Sequence, residues 1–540
     1  MNKTLLCAVF LPLVLNAQED YRSRVGINTT TPQATLEISR KELNTLPNGY
    51  AQGVLFPEFT TEERLTFSSN AKKGTLIYNK DKNCIEMYRG LINGVHEWTC
   101  TNANAGSPIS NPSATATAIL GAVQDIKLVV FKHNGKNYLV QGNKILEGGI
   151  ANDEEVIVEI PYSNAQPNNG DYTAYEQTLA LKNGIGYMQD FKLSYPAGSF
   201  TGDTGTIQAK LKNVSGAIYY PALAPEDGTH HNAISNANAY TISLNGSSTT
   251  TLKVQTLAGV PDRCFDKTTL ECVGYGEDVK EHNFVYLPIT GPDGRVWLNN
   301  NLGADYARVG SPWFDPTRQA GALDYTNTTS AMPLSSPTAN QIKKDWRAYG
   351  SLFQWQRNPD GHELINWTNT TSGASKYEFT NTKADSWTNP GHNRPIISDF
   401  HWVADEVFVA STKEEKNLWQ SSGAGKTNPC PVGYHVPMEN ERIALTESIT
   451  GHKFPLNTRG ESSDKIWNEQ NLRLPASGLR GGDYIDRPIL VNQAENGFYW
   501  GSDMGYYEFE SLLLYFSSTY IDANYSGNSV ISYSVRCIKN

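Results

Sequence analysis

Cysteine is the residue type whose spacing in this chain says most about chemistry. Cys7 lies inside an apolar N-terminal run, and six cysteines follow it: Cys84, Cys100, Cys264, Cys272, Cys430 and Cys537. An even set in an exported chain implies disulfides. Sequence alone permits fifteen pairings, and the clustering favours 84–100, 264–272 and 430–537. A metal centre has little support, because no C-x-x-C pair occurs and no paired ligand spacing is present.

Other constellations are poorer. His230 and His231 beside Asp227 could ligate a metal, but adjacent histidines on a strand point apart, and a surface loop is the simpler reading. Ser477, within Ala476-Ser477-Gly478, lacks the G-x-S-x-G elbow of a hydrolase nucleophile. Asp399, Asp405 and Glu406, near His401 and Trp402, supply enough carboxylates for glycosidase work, yet no pairing distance can be read from them. Asp483, Asp486, Asp503 and Asp522 do not follow a spaced calcium motif. P-loop and dinucleotide fingerprints are absent. The expectation is a chain with no catalytic set, no metal and no cofactor.

Binding has better support. Aromatic residues make up 11% of the chain. Rings present flat apolar faces with polar rims, which sugars and protein partners both reward. In loop-like stretches the ligand-binding candidates are Trp367, Tyr377, Trp387, Trp402, Tyr506, Tyr507, Tyr520 and Tyr525. Irregular folds also use large rings as core, and Trp297, Trp355 and Trp500 are read that way.

These residues sit in a chain of 540 residues, too long for one compact core. Hydrophobic residues reach 39% and charged residues 19%, with 45 Gly and 27 Pro, a balance that suits a loop-rich, mainly β, multidomain protein. A net charge of −10 argues against nucleic acid as partner. No run of eighteen apolar residues occurs, so no membrane-spanning helix is expected.

Residues 1–17 read as a signal peptide, with Lys3 before a short apolar stretch and cleavage before Gln18. The chain is therefore expected outside the cell or at its surface, associated with an outer membrane. Residues 18–100 form a small β head module. Thr60 to Glu63 look like a helix start, 53–56 like a short strand stopped by Pro57, and 74–79, 84–88 and 98–100 like hairpin strands. The opening Val25-Gly26-Ile27-Asn28-Thr29-Thr30-Thr31-Pro32 turn, leading to Leu36-Glu37-Ile38, resembles a head module of exported Bacteroidota surface proteins whose motif also occurs in phage tail fibres and spikes. That resemblance implies packing between chains of a fibre, often a trimer, and hence a homo-oligomer through this module. Asn28 stands where Gly is usual.

An uncharged linker composition covers 101–118. Strand-like runs at 126–131, 138–140, 155–160, 177–181, 205–211, 240–244 and 249–255, separated by polar turns, predict a β-sandwich region over 119–262, immunoglobulin-like in architecture. A connector follows at 263–284. Ten of the eleven tryptophans then fall between Trp297 and Trp500, marking a domain boundary. The region 285–540 reads as irregular α+β, with helices near 342–356 and 439–448.

Six motifs occur there in order: Gly294-Arg295-Val296-Trp297, Tyr349-Gly350-Ser351-Leu352-Phe353-Gln354-Trp355, Asn428-Pro429-Cys430-Pro431, Leu474-Pro475-Ala476-Ser477-Gly478, Phe498-Tyr499-Trp500-Gly501 and Val535-Arg536-Cys537. They resemble the Fibrobacter succinogenes major paralogous domain, itself similar to the C-type-lectin-like fold of formylglycine-generating enzymes. The resemblance implies a cysteine before the first helix bonded to one on the last strand, which suits Cys430 and Cys537. Tyr434 and Ile443 stand where the family usually has Trp. Such enzymes use a reactive cysteine pair, and a nucleophilic thiol must be accessible and ionisable; a structural bridge here removes that chemistry. The expected function is non-catalytic recognition or adhesion, with a glycan or surface protein as partner. The alternatives are a structural or accessory subunit of a surface fibre or secretion or motility apparatus, and an enzyme on that scaffold.

Overall fold

The computed structural model describes residues 25–27, 36–38, 54–82, 84–92, 95–100, 116–223, 238–326, 336–412, 417–419, 426–454, 465–481, 489–505 and 510–540. The signal segment, most of the linker, His230, His231, Asp227, Asp483, Asp486, Tyr506 and Tyr507 lie outside these residues. The chain is mainly β and divides into two compact units, residues 1–113 and 114–540. All three disulfides favoured by the cysteine clustering form: Cys84–Cys100, Cys264–Cys272 and Cys430–Cys537.

In the first unit Val25–Ile27 pairs in parallel with Leu36–Ile38. A four-stranded sheet follows in the order Glu58–Phe59, Leu76–Asn79, Cys84–Ile92, Val95–Cys100. Pairing begins at Glu58, not in the expected 53–56 run. The helix Thr61–Phe67 starts where its residues predict, because Thr60 and Glu63 cap each other: the Thr60 hydroxyl accepts from the Glu63 N–H, and the Glu63 carboxylate accepts from the Thr60 N–H at 2.7 Å. Ile77, Tyr88 and Trp98 make a small core, and the Arg64–Glu86 ion pair is buried beside it. The Cys84–Cys100 bond ties the two long strands of so small a core.

The second unit contains a sandwich of two five-stranded sheets. One runs Lys144–Glu147, Lys136–Gln141, Ile126–His133, Ser248–Ala258, Asn238–Leu244; the other runs Tyr175–Lys182, Met188–Tyr195, Gly205–Asn213, Glu155–Gln166, Thr117–Leu120. Alternation in 155–162 and in Gly205–Asn213 buries one face of the second sheet and leaves the other to solvent. The expected linker is shorter than its composition predicts, since Ala116 and Ala118 are buried in the sandwich core.

The first sheet is covered on both faces. Leu128 and Val130 point into the sandwich, while Val129, Phe131, Tyr138 and Val140 pack with Phe265, Val285 and Leu287. From Leu128 to Phe131 the strand is therefore continuously apolar instead of alternating. The connector 263–284 belongs to this second core through Phe265, and Lys127 of the sandwich donates to Asp315 at 2.8 Å.

Residues from 285 onward form short sheets joined by long irregular segments. The helix Glu439–Thr450 ends at Gly451, whose φ of +77° is left-handed. It packs near the hairpin Glu510–Ser517 and Tyr520–Asn528 through Leu445, Leu514, Phe516, Ile521 and Ala523. The helix expected over 342–356 is corrected to Ala339–Lys344 plus a 3₁₀ turn, Trp346–Ala348. Two residues break it. Asp345 adopts an extended conformation (φ −74°, ψ 91°), and Gly350 has φ +74° with the Leu302 carbonyl 2.3 Å from where a Cβ would sit. Among the described residues no helix is long and apolar enough to cross a membrane.

Candidate functional site

Among its described residues, the head module has several exposed apolar side chains. In the parallel ladder Val25 pairs with Leu36 and Ile27 with Ile38, and the two-residue period of a strand puts all four on one face. They are 58%, 58%, 46% and 41% exposed in the order Val25, Leu36, Ile27, Ile38. In the four-stranded sheet Leu76 pairs with Met87, and both are exposed, as are Leu55, Leu65 and Leu91. Ten of the 24 large hydrophobic side chains exposed in the described residues belong to this small unit. Such a concentration marks a surface made to be covered.

The aromatic candidates separate into two groups. Trp367, Trp387 and Trp402 are buried, and the surface reading is corrected for all three. Trp367 donates its Nε1–H to the Gly350 carbonyl at 2.7 Å and meets Tyr349 edge-on. Trp402 is fully enclosed, donates to the Trp355 carbonyl at 2.8 Å and packs edge-on against Trp387 at 5.1 Å. An interior with few helices fills itself with indoles because each buries a large apolar area, and the N–H groups of Trp367 and Trp402 find backbone carbonyls. Trp297, Trp355 and Trp500 are buried too.

Tyr377, Tyr520 and Tyr525 are half-buried. Tyr377 donates to Glu281 at 2.7 Å, and burial together with that carboxylate pushes its hydroxyl up well above the usual phenol range. The other two are brought together around Tyr515, at centroid distances of 5.5 Å for Tyr520 and 5.0 Å for Tyr525. Sequence reasoning missed Tyr515. The signal for it was the hairpin itself, which sets Tyr525 opposite Leu513 and so beside Tyr515.

The acidic and nucleophilic candidates have local roles. Ser477 is buried and shares a hydrogen bond with Ser534 Oγ at 2.6 Å. Asp399 and Glu406 are exposed, and Asp405, in the first turn of the helix Asp405–Ala410, pairs with Lys383. His401 is buried and stacked on Phe408. Asp503 pairs with Arg442, and Asp522 accepts from Tyr520.

Among the described residues, one group of side chains has metal-ligand proximity, and spacing gave no sign of it: Asp360, His362 and Glu363. All three are shut away from solvent. His362 Nε2 accepts from the Gln354 N–H at 3.0 Å, so the proton sits on Nδ1, which donates to Asp360 at 2.7 Å. Neither ring nitrogen keeps a free lone pair. Asp360 also accepts from Arg357 at 2.8 Å and Tyr275 at 3.0 Å, and Glu363 takes the Gly361 N–H and His282 Nε2. Arg480 clamps the same loop through the carbonyls of His362 and Leu352. Burial alone would raise Glu363, but hydrogen bonds from His282 and His362 outweigh it and hold the carboxyl well below its usual range. For His282, burial lowers and Glu363 raises, and the ring is pushed up to about 9. This is a closed ionic network that fixes a loop; it offers no open coordination position.

Residues 26–114 match the family described as a phage tail like trimerisation region. No curated protein and no solved structure matches the chain.

Proposed function

We propose that this chain is an exported surface protein that assembles as a homotrimer through its head module, carrying residues 114–540 as a disulfide-tied display unit. The observation that carries the reading is the bare aliphatic face of Val25, Ile27, Leu36 and Ile38, inside the segment that matches a trimerisation region. A two-stranded ladder has no stability of its own in water, and a threefold arrangement covers three such faces against one another. Three disulfides support an oxidising compartment, hence export. The role is that of a structural or accessory subunit of a surface fibre, with no turnover.

Recognition by the C-terminal part is the second reading, favoured by the half-exposed cluster of Tyr515, Tyr520 and Tyr525. In that reading residues 285–540 are the lectin-like module of a Fibrobacter succinogenes major paralogous domain, and the ligand is a glycan or a surface protein. Trimerisation multiplies such a site by avidity.

Light scattering of the secreted full chain at micromolar concentration tests the assembly. The expected mass is that of three chains. A mass of one chain, unchanged on concentration, overturns the proposal.

A further inference from the structure

One end of the second sandwich sheet carries an apolar point. The hairpin strands Tyr175–Lys182 and Met188–Tyr195 are joined by Asn183-Gly184-Ile185-Gly186-Tyr187. Ile185 is 81% exposed, Tyr187 70% and the following Met188 59%. The segment after Gly205–Asn213 lies against this turn: the Gly184 N–H donates to the Tyr220 carbonyl at 2.8 Å, and the Val214 N–H to the Asp190 carbonyl at 3.0 Å. That segment adds Val214, Ile218 and Leu223, all exposed. Six of the 14 large hydrophobic side chains exposed in the described residues of the second unit thus gather on two neighbouring segments. Such a concentration marks a surface that meets an apolar partner.

Charge and hydrogen bonding select the partner. Residues 183–189 and 213–223 contain no Asp, Glu, Lys or Arg. Five consecutive N–H groups of the turn are used within the protein. Asn183 donates to the Tyr187 carbonyl, Gly184 to Tyr220 and Gly186 to the Asn183 carbonyl, while Ile185 and Tyr187 both donate to Asn183 Oδ1. Donors already paired enter hydrocarbon without the penalty an unpaired one carries. The flanking charges balance: Lys182 and Asp190 are of opposite sign, and Lys212 pairs with Asp153 at 2.7 Å. Ile185 and Tyr187 stand clear of their neighbours, so they form a point and not a flat face. A protein partner would have to supply a pocket of matching shape, whereas a bilayer yields to any shape. Tyrosine also suits a membrane boundary, with an apolar ring and a hydroxyl that reaches the headgroups.

We infer that this end of the sandwich docks on a lipid bilayer, with Ile185, Tyr187 and Met188 entering the boundary between headgroups and acyl chains. The chain lies on the membrane there and does not span it. The docking goes beyond assembly through the head module and does not depend on it.

Flotation of the full chain with phosphatidylcholine vesicles tests this. The chain is expected to float equally well in low and high salt, because apolar contact is not screened. Ile185→Asp places a carboxylate on an already exposed turn, so its circular dichroism should be unaltered, and vesicle binding is expected to weaken by about tenfold or more. Val432→Asp, at an 86% exposed position elsewhere in the same unit, should bind as the unsubstituted chain does. Three results overturn the inference: an unsubstituted chain that stays in the soluble fraction, one that floats only with phosphatidylglycerol at low salt, or an Ile185→Asp chain that floats undiminished. The first two are read on the unsubstituted chain and do not depend on whether a variant folds.

Discussion

His282 Nε2 lies 2.8 Å from Glu363 Oε1, and both side chains are closed to solvent. The contact joins the connector that follows the sandwich to the loop carrying Asp360 and His362. The groups facing His282 are Asp262, Glu281 and Glu363.

Breaking this pair is expected to be costly and pH-dependent. His282→Gln leaves a buried carboxylate short of its counter-ion, a loss of about 3 kcal/mol or more. The folded imidazole titrates near 9 against an ordinary value of 6.5, so its contribution is full below pH 6.5 and is lost as pH rises through 9. Glu363 works in the opposite sense: its contribution is full above the ordinary 4.5 and is lost as the pH falls through its depressed folded value. Burial raises Asp262 to about 6, so its term is present below 3.8 and is lost through 6. Urea titrations of the unsubstituted chain and His282→Gln should differ most near pH 6 and converge toward pH 9.5. An equal gap at both pH values contradicts the assignment.

The disulfides should rank by the loop each closes. Cys430 and Cys537 are 107 residues apart, and replacing both by Ala is expected to cost roughly 4–5 kcal/mol on the loop-entropy model. Cys264 and Cys272 are 8 apart, and the same replacement should cost about 2–3 kcal/mol. Denaturation midpoints of the two double variants give the order directly, and a reversed order shows that native contacts, not chain entropy, dominate.

Trp402→Ala separates core from surface. With the ring fully enclosed and hydrogen-bonded to the Trp355 carbonyl, the change should destabilise by about 3–5 kcal/mol. Tyr520→Ala, at a half-buried ring, should cost far less. Thermal melts of the two variants side by side decide it; near-equal midpoints would return Trp402 to the surface set.

The legibility of this fold follows from which residues could report on their own surroundings. In Glu155–Gln166 alternation names the strand and its buried face together, because one face meets water. In Ile126–His133 both faces are covered, so the apolar run names a strand but not its second partner, the connector with Phe265. Cysteines 16, 8 and 107 positions apart were enough to anticipate the bonds. Tryptophan was ambiguous, since a ring suited to a sugar is equally suited to an interior short of helices. The His282–Glu363 network was invisible because its members approach only through the fold, 81 positions apart. Val25-Gly26-Ile27 read as part of a turn leading to the strand Leu36-Glu37-Ile38; that it is itself a strand, and that both paired strands turn the same bare face outward, is a fact of register.

That register makes the proposed assembly surface open to attack by a single charge. Ile27 sits opposite Ile38 and beside the Val25–Leu36 pair, so a carboxylate there enters the middle of the aliphatic face. In the isolated chain Ile27 is already 46% exposed, and Ile27→Asp should leave the monomer's fold intact. In a trimer the same carboxylate is buried three times against aliphatic neighbours and against its own copies, which like-charge repulsion and desolvation both oppose. Leu270→Asp, at a 44% exposed position in the other unit, is the matched control. The expected outcome by light scattering is a shift from three chains to one for Ile27→Asp and no change for Leu270→Asp, with the circular dichroism of both unaltered. A trimer that survives Ile27→Asp places the contact elsewhere in the head, on the Leu76–Met87 face of the sheet.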